Sequence, residues 1–488
     1  MIVKEQVQNF AGDQRMPEEL HSRSPGQIDP ASRPGRPRVA LLTPYTGENL
    51  GDAAIQDAAI ANLRLRLPAA QFSGITLNRE NFLERHGSGA FALCGAGRPF
   101  YAMCRGRVAG RPGDATGSKP SMSVQRDSIR EMLRKAFSRV PALWWCLTRV
   151  RRLQWYVWAE LRHFARGYRF LRTQDLLVVS GGGQLDEECG GPWGHPFALF
   201  KWAVLARMAR VPFAVASVGA CRVNSISCRF FLSAALRMAR YRSYRDKNSK
   251  KVAIGLWRRA AADPVVPDLA FSLPTSELPP AAGICSGARG RRIVAVSPIA
   301  YAKPGTWVHE NAALYDRYLQ EMARAVDQLL QRDYFLLMVW SDLGDDRVVP
   351  EILGRLGHRS SKSVARQLHV PTIKSWRDLV AHLQGADFLI ASRLHSTILG
   401  FVTQTPTVAI SFNLKVDWVM EDLGQTDFLL HIEDFTAMDV VEALARLEAP
   451  SRFVSAETRS YQLGIQSAFA GQYDTLAELA IASTEHRN

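Results

Sequence analysis

The sequence lacks the features that mark several common classes of protein. Its seven cysteines are scattered over 488 residues without a CxxC pair, so neither a zinc site nor a disulfide framework is predicted. No apolar run is long enough to cross a bilayer. The polar start of the chain contains no apolar signal-peptide core. We therefore expect a cytoplasmic protein that begins with a disordered polar tail over 1–37.

Several sequence motifs with a known chemical mechanism are also missing. There is no HExxH, GxGxxG, Walker A loop or GxSxG at a place where it would act. Their absence argues against hydride transfer with a dinucleotide, P-loop hydrolysis and serine-hydrolase chemistry. No Asp/His cluster with metal-ligand spacing stands out, so we predict neither a metal ion nor a cofactor.

Positive charge is abundant, and it is concentrated in one segment. The net formal charge is +15, and residues 98–172 hold 17 Lys and Arg against 4 Asp and Glu, with several Trp and Tyr. Basic amphipathic helices with Trp suit an anionic membrane surface. A packed helical insertion with a solvated basic face explains the pattern equally well. Nucleic acid is not predicted as a partner, because nothing here resembles a binding module.

Two series of alternating strand-like and helix-like runs organise the chain. Such alternation is typical of parallel α/β sheets, and the length indicates two domains. We predict two Rossmann-like domains that face each other across a cleft. The predicted parts after the tail are a first domain over 38–273 with a basic aromatic helical insertion at 85–172, a linker over 274–291, a second domain over 292–454, and a C-terminal helix and tail over 455–488.

Polar groups follow strand-like runs in both halves, and parallel sheets bind ligands at the carboxyl ends of their strands. Arg393 and His395 share the turn after the apolar run 388–391, and Arg245 follows the run 241–244. The planar guanidinium fork of arginine can grip carboxylate or phosphate, and imidazole titrates near neutral pH. Further candidates for substrate binding are Asn49, Gly51, Asp52, Gly182, Gly183, His195 and Lys415.

Taken singly, several of these residues also have a structural explanation. Asp52 can serve as a helix N-cap beside a turn glycine. Arg245 can form a structural ion pair with Asp246. His195 lies in a glycine-rich stretch, so it can be a loop histidine whose hydrogen bonds are made within the protein.

Seven short motifs occur in a characteristic order. They are NLGD at 49–52, SGGG at 180–183, ASVGA at 216–220, YRD at 244–246, VPDLAF at 266–271, RLHS at 393–396 and PTVAI at 406–410. In this series, which runs from about 39 to 420, the chain resembles the polysaccharide pyruvyl transferase family. Two features depart from the family pattern: the segment 85–172 looks like an insertion, and a usual glycine-rich turn reads VGAC at 218–221.

The resemblance implies a GT-B-like fold and transfer of pyruvate from phosphoenolpyruvate onto a sugar of a cell-surface glycan, such as an exopolysaccharide, as a cyclic ketal. It assigns anion binding to Arg245 and Arg393 and the essential histidine to His395, which would protonate the methylene carbon of the donor. The acceptor glycan in such pathways is often lipid-linked, so a basic segment could hold the enzyme at the inner face of the plasma membrane. Two alternatives stay open: a glycosyltransferase of the same fold that uses a nucleotide sugar, and a membrane-associated scaffold without activity.

Overall fold

The computed structural model describes residues 36–95, 141–187, 190–283, 288, 290–307, 310–356, 366–448 and 456–486, without the side chains of 141–153, 156 and 456–463. The predicted tail over 1–37 lies outside these residues except at its last two positions. Within them the chain forms two sheets whose strand pairs are parallel. No helix in this part of the chain is long and apolar enough to cross a membrane.

The first sheet contains seven strands. They are β1 (Arg38–Leu42), β2 (Gln71–Thr76), β3 (Ala90–Ala92), β4 (Leu176–Ser180), β5 (Gly183–Leu185), β6 (Phe213–Ala220) and β7 (Tyr241–Tyr244). Their order is β3-β2-β1-β4-β6-β5, and β7 also pairs with β6. The accompanying helices are α1 (Leu50–Arg66), α2 (Arg79–His86), α3 (Pro141–Leu171), α4 (His195–Ala209), α5 (Ile226–Met238) and α6 (Lys247–Leu256).

The second sheet contains six strands. They are β8 (Ile293–Ser297), β9 (Phe335–Met338), β10 (Leu368–His369), β11 (Phe388–Ala391), β12 (Thr407–Ser411) and β13 (Leu429–His431), in the order β10-β9-β8-β11-β12-β13. The helices are α7 (Ala312–Gln331), α8 (Val348–Leu353), α9 (Trp376–Gly385), α10 (Leu394–Val402), α11 (Leu414–Asp422), α12 (Ala437–Leu447) and α13 (Ala456–Glu485). This is the doubly wound order of a Rossmann sheet, so the predicted pair of Rossmann-like domains is confirmed.

Strands in the middle of both sheets are buried along most or all of their length. Every residue of β4, β8 and β12 is buried. Strands covered by helices on both faces read as continuous apolar runs rather than as an alternating pattern. Polar side chains can therefore gather only where the strands end, and this places the candidate site at the carboxyl edges.

The described ends of the segment 85–172, which was predicted as a basic helical insertion in the first domain, pack against the first sheet. β3 pairs with β2 as the edge strand. The second half of α3 packs beside it, since His163 Nε2 lies 2.7 Å from the carbonyl oxygen of Ala92 and Leu171 is fully buried. α3 begins at Pro141, and proline is favoured at the first position of a helix. The stretch 96–140 lies outside the described residues.

The C-terminal helix α13 packs on the first domain. The Gln472 amide and the Ser217 hydroxyl are 3.1 Å apart, and the hydroxyls of Tyr473 and Ser272 are 2.9 Å apart. Asp474 forms an ion pair with Arg66. The helical nature of this segment was predictable from its pattern, but the domain that receives it was not, so this contact is a finding of the structure.

Candidate active site

Loops at the carboxyl edges of the two sheets bind each other directly. The loop after β1 pairs with the loop after β9, since the backbone N–H of Leu50 donates to the carbonyl of Ser341 at 2.9 Å. The N–H of Leu343 donates in turn to the carbonyl of Glu48 at 3.0 Å. The two edges therefore face each other, and residues far apart in sequence share one site.

His395 lies directly against Gly51 of the other domain. A Cβ atom added to Gly51 would come 1.9 Å from Cγ of His395, so only glycine leaves room for the imidazole at this place. His395 is in the first turn of α10, whose N-cap position, Arg393, makes no side-chain cap bond. Its Nε2 atom is buried without a hydrogen-bond partner in the described part of the chain. This nitrogen, at a helix N-terminus that favours anions, is available to a ligand.

Arg245 lies on the backbone of Gly219, where a Cβ atom would come 2.6 Å from the guanidinium carbon. Its side chain is only 7% exposed. Nε contacts Asp246 at 3.3 Å and Nη1 contacts Asp268 at 3.5 Å, whereas Nη2 is buried without a partner among the described residues. A buried charged donor without a partner is costly. An anion at this nitrogen would offset that cost.

The carboxylate of Asp52 lies among the same charged groups as Arg245 and His395. Burial raises the pKa of Asp52 above its ordinary value. The charges of His395 and Arg245 lower it, whereas those of Asp268 and Asp342 raise it further. A carboxyl with a raised pKa close to a histidine and an arginine is suited to moving a proton.

The N-cap of α1 is Asn49 rather than Asp52. The side-chain oxygen of Asn49 accepts hydrogen bonds from the N–H groups of Gly51, at 3.0 Å, and Asp52, at 3.3 Å. The structural interpretation of Asp52 as a cap is therefore wrong. Since its oxygen is occupied in this way, Asn49 positions the turn that carries Gly51 and Asp52.

Arg393 is bound mainly by its own domain. Its Nε and Nη2 atoms contact the two carboxylate oxygens of the buried Asp345, at 2.6 and 2.9 Å. Burial lowers the pKa of Arg393, but the charges of Asp345 and Asp342 outweigh this and raise it overall. Nη1 has no hydrogen bond within the described residues. Arg393 thus has one guanidinium nitrogen left for a ligand, not the whole fork that the sequence predicted.

The glycine turn after β4 lies between Asp52 and Lys415. Gly182 has a φ of +72°, and a Cβ atom there would lie 3.7 Å from Oδ1 of Asp52. A Cβ atom on Gly183 would lie 3.6 Å from Nζ of Lys415, which belongs to the second domain. The structure therefore brings Gly182, Gly183 and Lys415 to the edge at which Arg245 and His395 lie.

His195 is not on a loop. It is the first residue of α4 and is fully buried, and burial lowers its pKa to about 4. No described contact joins it to Arg245, Asp52 or His395. The helix begins here because Pro196, the next residue, suits the first turn. His195 is better explained as a neutral core histidine than as the substrate contact that was predicted.

The burial of His195 makes the stability of the fold depend on pH. The ordinary pKa of histidine is about 6.5, so below this pH the unfolded chain binds a proton that the folded protein excludes until about pH 4. The free energy of unfolding should fall by about 3 kcal/mol across that window. We expect the melting temperature of His195→Gln to fall less steeply than that of the wild type between pH 6.5 and 4. Parallel slopes in thermal melts would contradict this prediction.

Four residues of the site were not predicted as site residues. They are Gly219, Asp268, Asp342 and Asp345. Asp342 and Asp345 follow β9 at its carboxyl end, and a polar residue after a strand is the same signal that identified Arg245 and Arg393. No group of three or more His, Cys, Asp or Glu within the described ranges is placed to hold a metal ion.

The architecture defines a class, the two-domain GT-B fold. A putative UDP-N-acetylglucosamine 2-epimerase from Listeria monocytogenes has a similar structure, with a TM-score of 0.53 and 10% identity over 90% of this chain and 98% of that one. The UDP-GlcNAc 2-epimerase of Methanocaldococcus jannaschii is also similar, with a TM-score of 0.49 and 8% identity over 88% and 99% of the two chains. At such low identity, the likeness to the Listeria protein shows the fold and not the reaction.

A family model for polysaccharide pyruvyl transferase matches residues 123–413, more than half of the chain. The chain therefore belongs to this family and is a transferase, which confirms the resemblance seen in its motifs. Arg245, Arg393 and His395 lie inside the matched residues, whereas residues 49–52 and Lys415 lie outside them. No curated protein matches the sequence.

Proposed function

We propose that the chain transfers the pyruvate of phosphoenolpyruvate onto a sugar of a cell-surface glycan repeat unit, such as that of an exopolysaccharide, forming a cyclic ketal. One observation carries the proposal. Two buried nitrogen atoms without partners among the described residues, Nη2 of Arg245 and Nε2 of His395, belong to facing edges joined by the contact between Gly51 and His395. An anionic donor that must also be protonated needs both kinds of group.

The positively charged groups of the site bind the donor. Phosphoenolpyruvate has a carboxylate and a phosphate, which call for at least two cationic contacts. Arg245 supplies one through Nη2, and Lys415 with Nη1 of Arg393 supplies the other from the second domain. The first turn of α10 adds backbone N–H groups that favour an anion.

The chemistry starts with proton transfer from His395 to the methylene carbon of the donor. This leaves an oxocarbenium-like centre at the adjacent carbon, which a sugar hydroxyl attacks. The carbon–oxygen bond to phosphate then breaks, phosphate leaves, and a second hydroxyl closes the ketal. The two hydroxyls release two protons: one balances the proton given to the methylene carbon, and the other leaves with the phosphate as hydrogen phosphate. Asp52, whose pKa is raised by burial, is placed to accept a hydroxyl proton.

A thermal-shift experiment separates this proposal from a nucleotide-sugar glycosyltransferase of the same fold. We expect phosphoenolpyruvate to raise the melting temperature and UDP-sugars to leave it unchanged, because ligands that bind the folded state stabilise it by mass action. Arg245→Lys should reduce the shift, since lysine lacks the planar fork. A shift with UDP-sugars alone would favour the glycosyltransferase.

Association with the inner face of the membrane through 98–172 is a separate proposal. The part of this segment whose side chains are described exposes Val157, Trp158 and Leu161 on α3, beside exposed arginines. We expect the protein to float with liposomes that contain anionic lipid and not with neutral ones. Equal recovery with both would contradict an electrostatic attachment.

A further inference from the structure

A cavity of about 710 Å³ opens at the carboxyl ends of β2 and β3. It lies on the same edge of the first sheet as the candidate active site but at its far side, next to α3. Arg79, Trp155, Trp158, Arg162, His163 and Arg166 are among the residues that line it. None of these residues belongs to the active site described above.

One face of α3 forms a wall of this cavity. Trp155, Trp158, Arg162 and Arg166 are three or four positions apart, the spacing that places side chains on one helical face. Trp158 is 64% exposed. Arg162 and Arg166, together with Arg79 at the start of α2, form no ion pair with any described residue. Among the described lining residues, Glu80 is the single carboxylate, so positive charge is in excess on this part of the lining.

The floor of the cavity is held by a buried polar network. Lys201 Nζ donates to Glu160 at 2.7 Å and lies 3.3 Å from Nδ1 of His163. Glu160 also accepts the backbone N–H of Gly95 at 2.7 Å. Burial and the charge of Lys201 lower the pKa of His163 to about 4, so its ring stays neutral, with Nε2 donating to the carbonyl of Ala92. The helix and the strand end are thereby fixed before any ligand arrives.

This cavity is also joined to the active-site loop. Asn78, on its lining, donates through Nδ2 to the carbonyl of Thr46 at 2.9 Å. Thr46 belongs to the loop that delivers Gly51 to His395. A Cβ atom on Gly47 would come 2.4 Å from that amide, so the loop and the cavity wall are closely packed. An extended ligand in the cavity would therefore border the loop that shapes the active site.

We propose that this cavity binds the acceptor by its phosphorylated end, as a saccharide joined to a phosphate or diphosphate. The arginines match phosphate oxygens with planar forks, and the Trp rings offer flat apolar faces with one polar edge, suited to the faces of a sugar. Its role as an acceptor site rests on the proposed function, but the binding itself does not. The phosphate can come from a lipid-linked saccharide or from a soluble one.

The test measures binding directly, without turnover. The probes are farnesyl-diphosphate-linked N-acetylglucosamine, N-acetylglucosamine 1-phosphate, free N-acetylglucosamine, and phosphatidylglycerol vesicles without saccharide. We expect Arg162→Gln/Arg166→Gln to weaken binding of both phosphorylated probes by about 10-fold or more, as the loss of charge-assisted hydrogen bonds predicts. Tighter binding of the farnesyl probe than of N-acetylglucosamine 1-phosphate would identify a lipid-linked source of the phosphate. Equal binding of these two probes would identify a soluble source.

The matched control is Arg169→Gln/Arg172→Gln, which removes the same charge from exposed positions at the end of α3 that do not line the cavity. It should change binding of the phosphorylated probes by less than about twofold, and both double variants should keep the wild-type melting temperature. An equal loss in the two double variants, or binding to vesicles that exceeds binding to every saccharide probe, overturns the proposal in favour of a general charged surface. Failure of phosphoenolpyruvate to bind would overturn the proposed function and leave this result unaffected.

Discussion

Replacement of His395 by alanine should abolish ketal formation while the protein stays folded. Loss of a general acid typically lowers kcat by about 10²- to 10⁴-fold, and Nε2 of His395 has no hydrogen bond to a described residue that the fold would lose. The measurement is the rate of phosphate release from phosphoenolpyruvate with acceptor present, alongside a thermal melt. Phosphoenolpyruvate should still stabilise the variant, since Arg245 and Lys415 remain.

The matched control is His431→Ala, in the same domain. His431 is exposed at the end of β13, so its loss should leave both the rate and the melting temperature unchanged. A rate for His395→Ala within about tenfold of the wild type would exclude the assigned acid role. An unfolded His395→Ala protein would show instead that the imidazole is needed for packing against Gly51.

Replacement of Gly51 by alanine should be almost as damaging, although alanine is the better helix former. The new Cβ atom would come 1.9 Å from Cγ of His395, so either the imidazole or α1 must move. A displacement of about 1 Å at a reacting group can cost about 10²-fold in rate. We expect a loss of kcat of at least that size and a lower melting temperature.

Two further variants make this prediction specific. Gly255→Ala lies in α6 with nothing within 4 Å of the added Cβ, so activity should be unchanged and stability higher by about 0.5–1 kcal/mol. The double variant Gly51→Ala/His395→Ala should be more stable than Gly51→Ala alone, because removing the ring relieves the clash. Wild-type activity in Gly51→Ala would show that His395 does not lie against this glycine.

Most of the regular structure could be predicted because buried parallel strands and amphipathic helices leave strong patterns. The bounds of β11 were predictable to the residue, because they coincide with the apolar run 388–391. β3 was not predicted because it has only three residues, all of them half-buried. So short a segment shows no hydrophobic pattern that separates a strand from a turn. The start of α4 was missed because the glycine-rich stretch before Pro196 reads as a loop.

The sequence was enough to predict which loops contribute residues to the candidate site. It was not enough to predict which side-chain atoms of those residues are left to bind a ligand. The prediction that Arg393 and His395 lie in a turn after a strand was correct. The pairing of Arg393 with Asp345, 48 positions earlier, depends on how two loops pack, and no local pattern encodes it. The same is true of Gly51 and His395, since a steric match between two domains appears only when the chain is folded.

We propose above that pyruvate moves from phosphoenolpyruvate to a glycan at the edge formed by Arg245, Asp52 and His395. The most direct measurement uses phosphoenolpyruvate radiolabelled in its pyruvate carbons, with lipid-linked repeat units from the protein's own source as acceptor. We expect acid-labile label in the glycan and one phosphate released for each pyruvate incorporated, and we expect neither with the His395→Ala protein. Unlabelled glycan and no phosphate release, in an assay where the same repeat units accept sugar from a nucleotide sugar, would contradict it.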